Sequence, residues 1–361
     1  MNEKLRAGLA VYGSALERWD LPRFLAEAGL PLSTAYSSGS RDYRVRLLAE
    51  GIRDDVEAVA LRPEVAPEEL WAMERNTGSG GLDIAITGSD IAAEADKAGY
   101  PVKKLGALGI GNVDIVMAVR KDAGVSSLGE LLRKRRDLKQ PTIAATEYYK
   151  YLAAETIASD PVYKELYPRA KPQIMVGGKV IAGDNPMVVV KYSEGKTEIA
   201  CVSGFAHLMV ENVQSGDTLR LNDYVLLGKL GESWYRLYAG PHITKSGTPE
   251  KWEKAILVRD LLRGRALGQR YTYAAFDFPL EKKDDITDYM EIEGLYTVKP
   301  FIATQNGNCE TKILVPRRKI AAVIEGLKEH GSKAIMTLSP EILAGLDMND
   351  EEQDKLVETK I

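Results

Sequence analysis

What most constrains this chain is an alternation of short apolar strands with amphipathic helices. Leu5 to Val11 reads as a first strand and Ala15 to Ala28 as a helix closed by Gly29. Val56 to Leu61 is a β-branched-rich strand, and Pro67 to Arg75 a helix entered through Pro-Glu-Glu. Leu82 to Gly88 is a compact buried strand, with Ser89-Asp90 suited to cap a helix from Ile91 to Ala98. Such spacing means βα units and a mainly parallel sheet. Val113 to Val119 opens a second α/β lobe, with Ser126-Ser127 starting its first helix and Thr142 to Ala145 leading into a Tyr-rich helix from Tyr148. Val225 to Leu230 and Tyr235 to Ala239 cross back to the first lobe. Two crossings place a cleft between the lobes, the usual location of a substrate site.

The remainder divides into three. Ser159 to Gly195 lacks clear periodicity and reads as an insertion. Past a long helix from Trp252 to Arg270, the order of apolar runs to Leu338 fits a β-α-β-β-α-β ferredoxin-like module, with Ile320, Val323, Ile324 and Leu327 on one helix face. Residues 349–361 are mostly charged and read as a solvated tail or frayed helix. The expected division is lobe I at 1–112 and 223–265, lobe II at 113–222, and the ferredoxin-like domain at 266–348.

Composition narrows the function classes. A net charge of −4, from 48 Lys and Arg against 52 Asp and Glu, leaves no basic excess to displace nucleic-acid counterions. The two cysteines, Cys201 and Cys309, have no metal-site spacing and fit a reducing compartment. With no apolar signal core after Met1 and no run of transmembrane length, the expectation is a cytoplasmic protein without membrane or nucleic-acid partners.

Chemistry concentrates at Val210-Glu211-Asn212-Val213-Gln214-Ser215-Gly216-Asp217-Thr218-Leu219. Gly216 lets the backbone bend so that successive N–H groups converge, while the Ser215 and Thr218 hydroxyls add neutral donors. A helix starting near Thr218 would favour an anion at that point. Glu211 is badly placed for a phosphate but suits ribose hydroxyls. The pattern suggests a phosphoribosyl site; an ordinary strand–turn–helix is the competing reading. Gly177-Gly178-Lys179 has the look of a phosphate-binding turn without Walker spacing.

With its flanks, Gly204 to Leu219 resembles the phosphoribosyl-diphosphate (PRPP) loop of the ATP phosphoribosyltransferases, with Glu211 where the family has Asp and Gln214 where it has Ser. The likeness continues in Asp83-Ile84-Ala85-Ile86-Thr87-Gly88-Ser89-Asp90, Leu61-Arg62-Pro63, Ala145-Thr146-Glu147-Tyr148, Leu314-Val315-Pro316-Arg317-Arg318 and Gly331-Ser332-Lys333-Ala334-Ile335. It implies an α/β fold of two type II periplasmic-binding-protein-like lobes plus a C-terminal ferredoxin-like α+β domain, as in the long-form enzymes. One departure stands out. The family's first strand ends in Lys-Gly-Arg, whereas this chain has Tyr12-Gly13-Ser14, so the glycine stays and both cations are gone. Arg41, Arg44, Arg46 and Arg62 are candidates to replace them.

The resemblance implies transfer of the 5-phosphoribosyl group of PRPP to N1 of ATP, with Mg²⁺ as cofactor and no fixed protein metal ligand. Catalytic roles would fall to Glu211, Arg62 and Arg46. PRPP would contact Glu211, Gln214, Ser215, Gly216, Asp217 and Thr218, the Asp217 side chain pointing outward. The nucleotide or azole acceptor would meet Tyr12, Gly13, Asp90, Thr146, Glu147 and Tyr148. Histidine, as inhibitor, would bind at Asp277, Thr297, Leu314 and Ala334 of a homo-hexamer or homodimer. Structural roles are the competing reading for several of these: a helix cap for Asp90, a loop or cap acceptor for Asp83, a core or surface residue for His207. Two other functions remain open, a PRPP-dependent transferase using another nitrogen nucleophile and a cytoplasmic small-molecule-sensing module.

Overall fold

The computed structural model describes residues 5–10, 21–30, 56–61, 65–72, 81–192, 197–213, 217–304, 307–343, 346 and 348–359. The first lobe contains β1 (Leu5–Ala10), α1 (Leu21–Glu27), β2 (Val56–Leu61), α2 (Ala66–Ala72), β3 (Ile84–Gly88), α3 (Ser89–Lys97) and β4 (Lys103–Ala107). β1 pairs in parallel with β2 and β3, as the βα spacing predicts.

The second lobe follows with β5 (Val113–Arg120), α4 (Leu128–Asp137), β6 (Thr142–Thr146), α5 (Lys150–Ser159), α6 (Pro161–Leu166), β7 (Pro172–Val176), β8 (Lys179–Ala182), β9 (Asn185–Tyr192), α7 (Thr197–Val202), β10 (Leu208–Val213), α8 (Asp217–Leu221) and β11 (Tyr224–Ser233). Its seven strands run in the order β11-β5-β10-β6-β9-β7-β8. Ser127 caps α4 by accepting the Glu130 N–H, as expected for that serine pair.

Three expectations change here. The stretch read as an insertion supplies β7, β8 and β9, and β9 lies inside the sheet between β6 and β7. Its periodicity was invisible because Val188, Val189 and Val190 are all buried, so the strand does not alternate. Gly177 and Gly178, at φ 55° and 79°, form the two-residue turn that pairs Val176 with Lys179 in a hairpin. That double glycine serves strand twist, not a phosphate. Finally, β11 belongs to the second sheet, pairing with β5, so the chain returns to the first lobe at Trp234 and not near residue 223.

β12 (Tyr235–Ala239) completes the first sheet, antiparallel to β3 and β4, giving the order β2-β1-β3-β12-β4. α9 (Pro249–Arg270) covers it with Ala255, Val258, Leu262 and Ala266 in the core. Then come β13 (Tyr271–Pro279), α10 (Lys283–Glu293), β14 (Tyr296–Ala303), β15 (Asn308–Pro316), α11 (Ile320–Glu329) and β16 (Ile335–Leu338). Their antiparallel sheet has the order β14-β15-β13-β16, the ferredoxin-like arrangement expected from the element order.

The charged C-terminal segment is not a solvated tail. α12 (Asp350–Glu358) opens with a capping box between Asn349 and Glu352 and buries Leu356 and Val357 completely in the first-lobe core. Its acids find cations already in place. Arg263 of α9, 2% exposed, bonds Asp350 at 2.7 Å and Asp354 at 3.0 Å. Asp354 also accepts the Ala107 N–H at 2.9 Å, and Glu358 takes Arg236 through two bonds of 2.6 and 2.7 Å. Gly106 is required beneath this cluster, since a Cβ there would lie 2.7 Å from the Arg263 guanidinium. Composition counted the charges but could not show that they were complementary to another element.

Candidate functional site

β6 and β10 lie side by side and parallel, with Leu208 opposite Ala144 and Met209 opposite Ala145. Their carboxyl ends therefore emerge together, which is where open α/β sheets bind ligands. The segment Thr146-Glu147-Tyr148 leaves β6 beside the last residues of β10. Glu211, on β10 opposite Val116 of β5, is half-buried. One carboxylate oxygen accepts the Thr197 hydroxyl at 3.0 Å and the other the Asn212 N–H at 3.0 Å. Thr197 begins α7 and is itself buried, so it fixes the carboxylate from behind. The arrangement holds a charged acceptor in one orientation, as recognition of hydroxyl groups requires.

Tyr149 closes the space from the second lobe. Its side chain is fully buried, and its hydroxyl donates to Asp90 Oδ2 of α3 at 2.7 Å. Burial, followed by the charges of Asp90 and Glu211, pushes the phenol well above its usual range, so it stays a neutral donor. Its backbone N–H goes to the buried Thr146 hydroxyl at 2.9 Å. Thr146 is thus taken up in shaping the turn. Tyr148 sets its ring edge-on to Tyr149, with centroids 6.0 Å apart, and Glu147 is half-buried.

Asp90 is not the cap of its own helix. The N-cap of α3 is Gly88, with no side-chain cap bond, and the second Asp90 oxygen accepts the hydroxyl of Ser233 at the end of β11. Gly88 leaves room for this, because a Cβ there would lie 2.1 Å from Asp90 Oδ1. Four residues on, Glu94 reaches across and accepts the N–H groups of Tyr151 and Leu152 at 3.0 and 2.7 Å. A carboxylate of the first lobe thereby caps the first turn of α5 in the second. Burial raises the Glu94 pKa despite the two N–H bonds that oppose it. Lys97 and Glu155 add an exposed pair beside it.

Sequence reasoning missed Tyr149, Glu94 and Ser233. Only the doubled tyrosine carried any hint, since a second aromatic just before a helix has no propensity reason to be there. Tyr149→Phe is expected to lower unfolding free energy by about 1.5–3 kcal/mol, the range for a buried bond to a charged group. An unchanged urea midpoint and slope would show that the hydroxyl contributes nothing to holding the lobes together.

Of the residues singled out from sequence, Asp90 and Glu211 act on Tyr149, Thr146 accepts its N–H, Tyr148 meets its ring edge-on, and Glu147 lies two residues before it. Tyr12, Gly13, Arg41, Arg44, Arg46, Arg62 and Gln214 to Gly216 lie outside the described residues. Asp217 and Thr218 open α8, a helix start close to that expected, and their side chains are outside the description as well. Asp83 is a structural acceptor, bonded by the Arg6 N–H at 2.7 Å and by His242 and Lys251 at 3.1 Å each. His207 accepts the Ile143 N–H at 3.0 Å, and burial with Arg135 nearby brings its pKa to about 4, so it is a neutral structural group. In the ferredoxin-like domain, Asp277 accepts the Ala334 N–H at 2.8 Å. Leu314 is fully buried opposite Tyr273, and exposed Thr297 pairs with Ile313. Asp277 and Ala334 are therefore in contact, while the other two stand farther along the sheet.

The sequence profile of the ATP phosphoribosyltransferases matches residues 72–261, more than half of the chain. The ATP phosphoribosyltransferase of Saccharopolyspora erythraea is 25% identical over 285 residues, covering 79% of this chain and 83% of that protein. That of Halorubrum lacusprofundi is 24% identical over 306 residues, covering 83% and 89%. A solved structure of the Thermotoga maritima ATP phosphoribosyl transferase complex covers 72% of this chain and 98% of that one, at 15% identity and TM-score 0.46, and adds no weight to the sequence match.

Proposed function

Because the chain belongs to the ATP phosphoribosyltransferase family, we propose that it transfers the 5-phosphoribosyl group of PRPP to N1 of ATP, releasing diphosphate in the first step of histidine biosynthesis. The observation that supports this most is the matched segment itself, which contains both Glu211 and the Gln214-to-Thr218 stretch that follows β10 in the chain. In the reaction the N1 lone pair forms a bond to ribose C1 while the C1–O bond to diphosphate breaks and its electrons leave with the diphosphate. As C1 gains oxocarbenium character, the chain's task is positioning and charge stabilisation. The fixed Glu211 carboxylate would accept the ribose hydroxyls. Ser215, Gly216, Asp217 and Thr218 would hold the 5-phosphate through N–H groups and hydroxyls, assisted by Gln214.

The acceptor nucleotide would enter between Asp90 and the Glu147-Tyr148 segment, near Tyr12 and Gly13. Arg46 and Arg62 would face the diphosphate in place of the absent Lys-Gly-Arg cations. Among the described residues no group of three or more His, Cys, Asp or Glu side chains could hold a metal. Mg²⁺ would arrive with the diphosphate oxygens, as the family resemblance implies. No helix among the described residues is long and apolar enough to cross a membrane. A cytoplasmic location remains part of the proposal, as does assembly into a homo-hexamer or homodimer.

Incubation with PRPP, Mg²⁺ and a panel of nucleotides and azoles, following diphosphate release, tests the reading. Release with ATP is the expected result. Release with another acceptor only would make the chain a divergent PRPP-dependent transferase, and none at all a binding module.

Inhibition by histidine would use the Asp277 and Ala334 contact, the ligand's amino group taking the remaining carboxylate lone pairs. Binding that favours one assembly state would slow a distant cleft by shifting populations. Asp277→Ala is expected to weaken histidine inhibition at least about tenfold, a loss of one charge-assisted bond, without changing the uninhibited rate. Indifference of the unmodified protein to millimolar histidine would reduce this domain to an assembly module.

A further inference from the structure

At the opposite end of the second sheet from the candidate site, an open cavity of about 330 Å³ lies between the end of β5, α4, α7 and the start of β10. That size is at the lower end of the range for small-molecule sites. Its polar groups are unevenly balanced. Arg120 is neutralised by Asp122, which it holds through bonds of 2.9 to 3.2 Å. Among the described residues, no such acid is paired with Lys134 or Arg135. Lys134 donates to the Ala123 carbonyl at 2.7 Å, and Arg135 reaches only the Pro141 carbonyl at 3.3 Å.

Two cations beside one cavity, each held by a neutral carbonyl, retain their full attraction for an anion. His207 adds a third donor. Its Nδ1 accepts the Ile143 N–H, so the proton of the neutral ring sits on Nε2, and the residue lines the cavity. The remaining wall, including Leu131, Ala206 and Val202, is apolar.

We propose that this cavity is a second binding site, for a small dianion with an apolar body: a phosphomonoester or a dicarboxylate. Lys134 and Arg135 would match its two charges, and His207 would donate one neutral hydrogen bond. The site is separate from the candidate catalytic space. β10 runs from beside His207 to Val213, roughly 20 Å at 3.3 Å per residue, before the Gln214 loop begins. α7 links the two ends, with Thr197 bonded to Glu211 and Val202 at the cavity. Occupancy is therefore an effector's and not a substrate's.

Calorimetric titration of the full chain with phenyl phosphate and, separately, succinate tests the site and distinguishes its two chemistries. Binding of at least one is expected, undisplaced by excess PRPP. The exposed-face double substitution Lys134→Gln/Arg135→Gln should weaken it at least tenfold. Val202→Trp, which fills the mouth without altering charge, should do the same with Lys134 and Arg135 intact. Binding of neither probe, displacement by PRPP, or unchanged affinity in both folded variants would overturn the proposal. None of these outcomes depends on which acceptor the enzyme uses.

Discussion

Replacing Glu211 by glutamine is expected to lower kcat at least about 100-fold, the cost of losing correct positioning at a reacting centre, while leaving the fold in place. The amide keeps the shape and one acceptor oxygen, so the Thr197 hydroxyl retains a partner. What disappears is the negative charge proposed to face the ribose and, with the new NH₂, one acceptor direction. Tyr149 sits in the field of that charge, which raises its pKa together with burial and Asp90. The variant should therefore titrate Tyr149 at lower pH than the parent while its thermal midpoint changes little. Steady-state rates equal to the parent's would remove Glu211 from the reaction.

Arg263→Ala is expected to destabilise the protein by about 3–5 kcal/mol, the effect of breaking a buried pair and stranding its partner charges. Here one buried guanidinium serves Asp350 and Asp354 together and also donates to the Leu105 carbonyl. Asp354 is itself buried, so truncation leaves it with Lys104 and the Ala107 N–H alone. Because α12 is held to the first lobe by this cluster, protease cleavage near Asp350 should accelerate along with the loss of stability. A shift of less than about 1 kcal/mol in equilibrium unfolding, within the range of an ordinary exposed ion pair, would show that Leu356 and Val357 dock the helix without it.

Much of the architecture could be read from sequence because it is written in local periodicity. The compact apolar run from Leu82 to Gly88 with its flanking turn residues, the Ser127 cap and the order of elements after Arg270 each depend on neighbours only a few residues apart. Glu211 was singled out for a similar reason, being part of a compact pattern on one strand. Illegible features are pairings across long separations. Tyr149 meets Asp90 59 positions earlier, Ser233 meets it 143 positions later, and Ala107 meets Asp354 247 positions later. No spacing rule connects such residues. β9 escaped for another reason, since burial on both faces erases the alternation by which strands are recognised.

The docking of α12 also imposes an order on synthesis. The second lobe, 113–233, is a continuous stretch that can complete its sheet as soon as β11 has emerged. The first lobe cannot finish so early: β4 waits through the second lobe and the ferredoxin-like domain before Asp354 arrives to accept the Ala107 N–H. Until then Arg263 lacks the carboxylates of α12, and the surface that will receive Leu356 and Val357 stays open to solvent. A ribosome pausing before residue 350 would hold a nascent chain with one closed lobe and one unsealed, and that interval is when the protein is most exposed to aggregation.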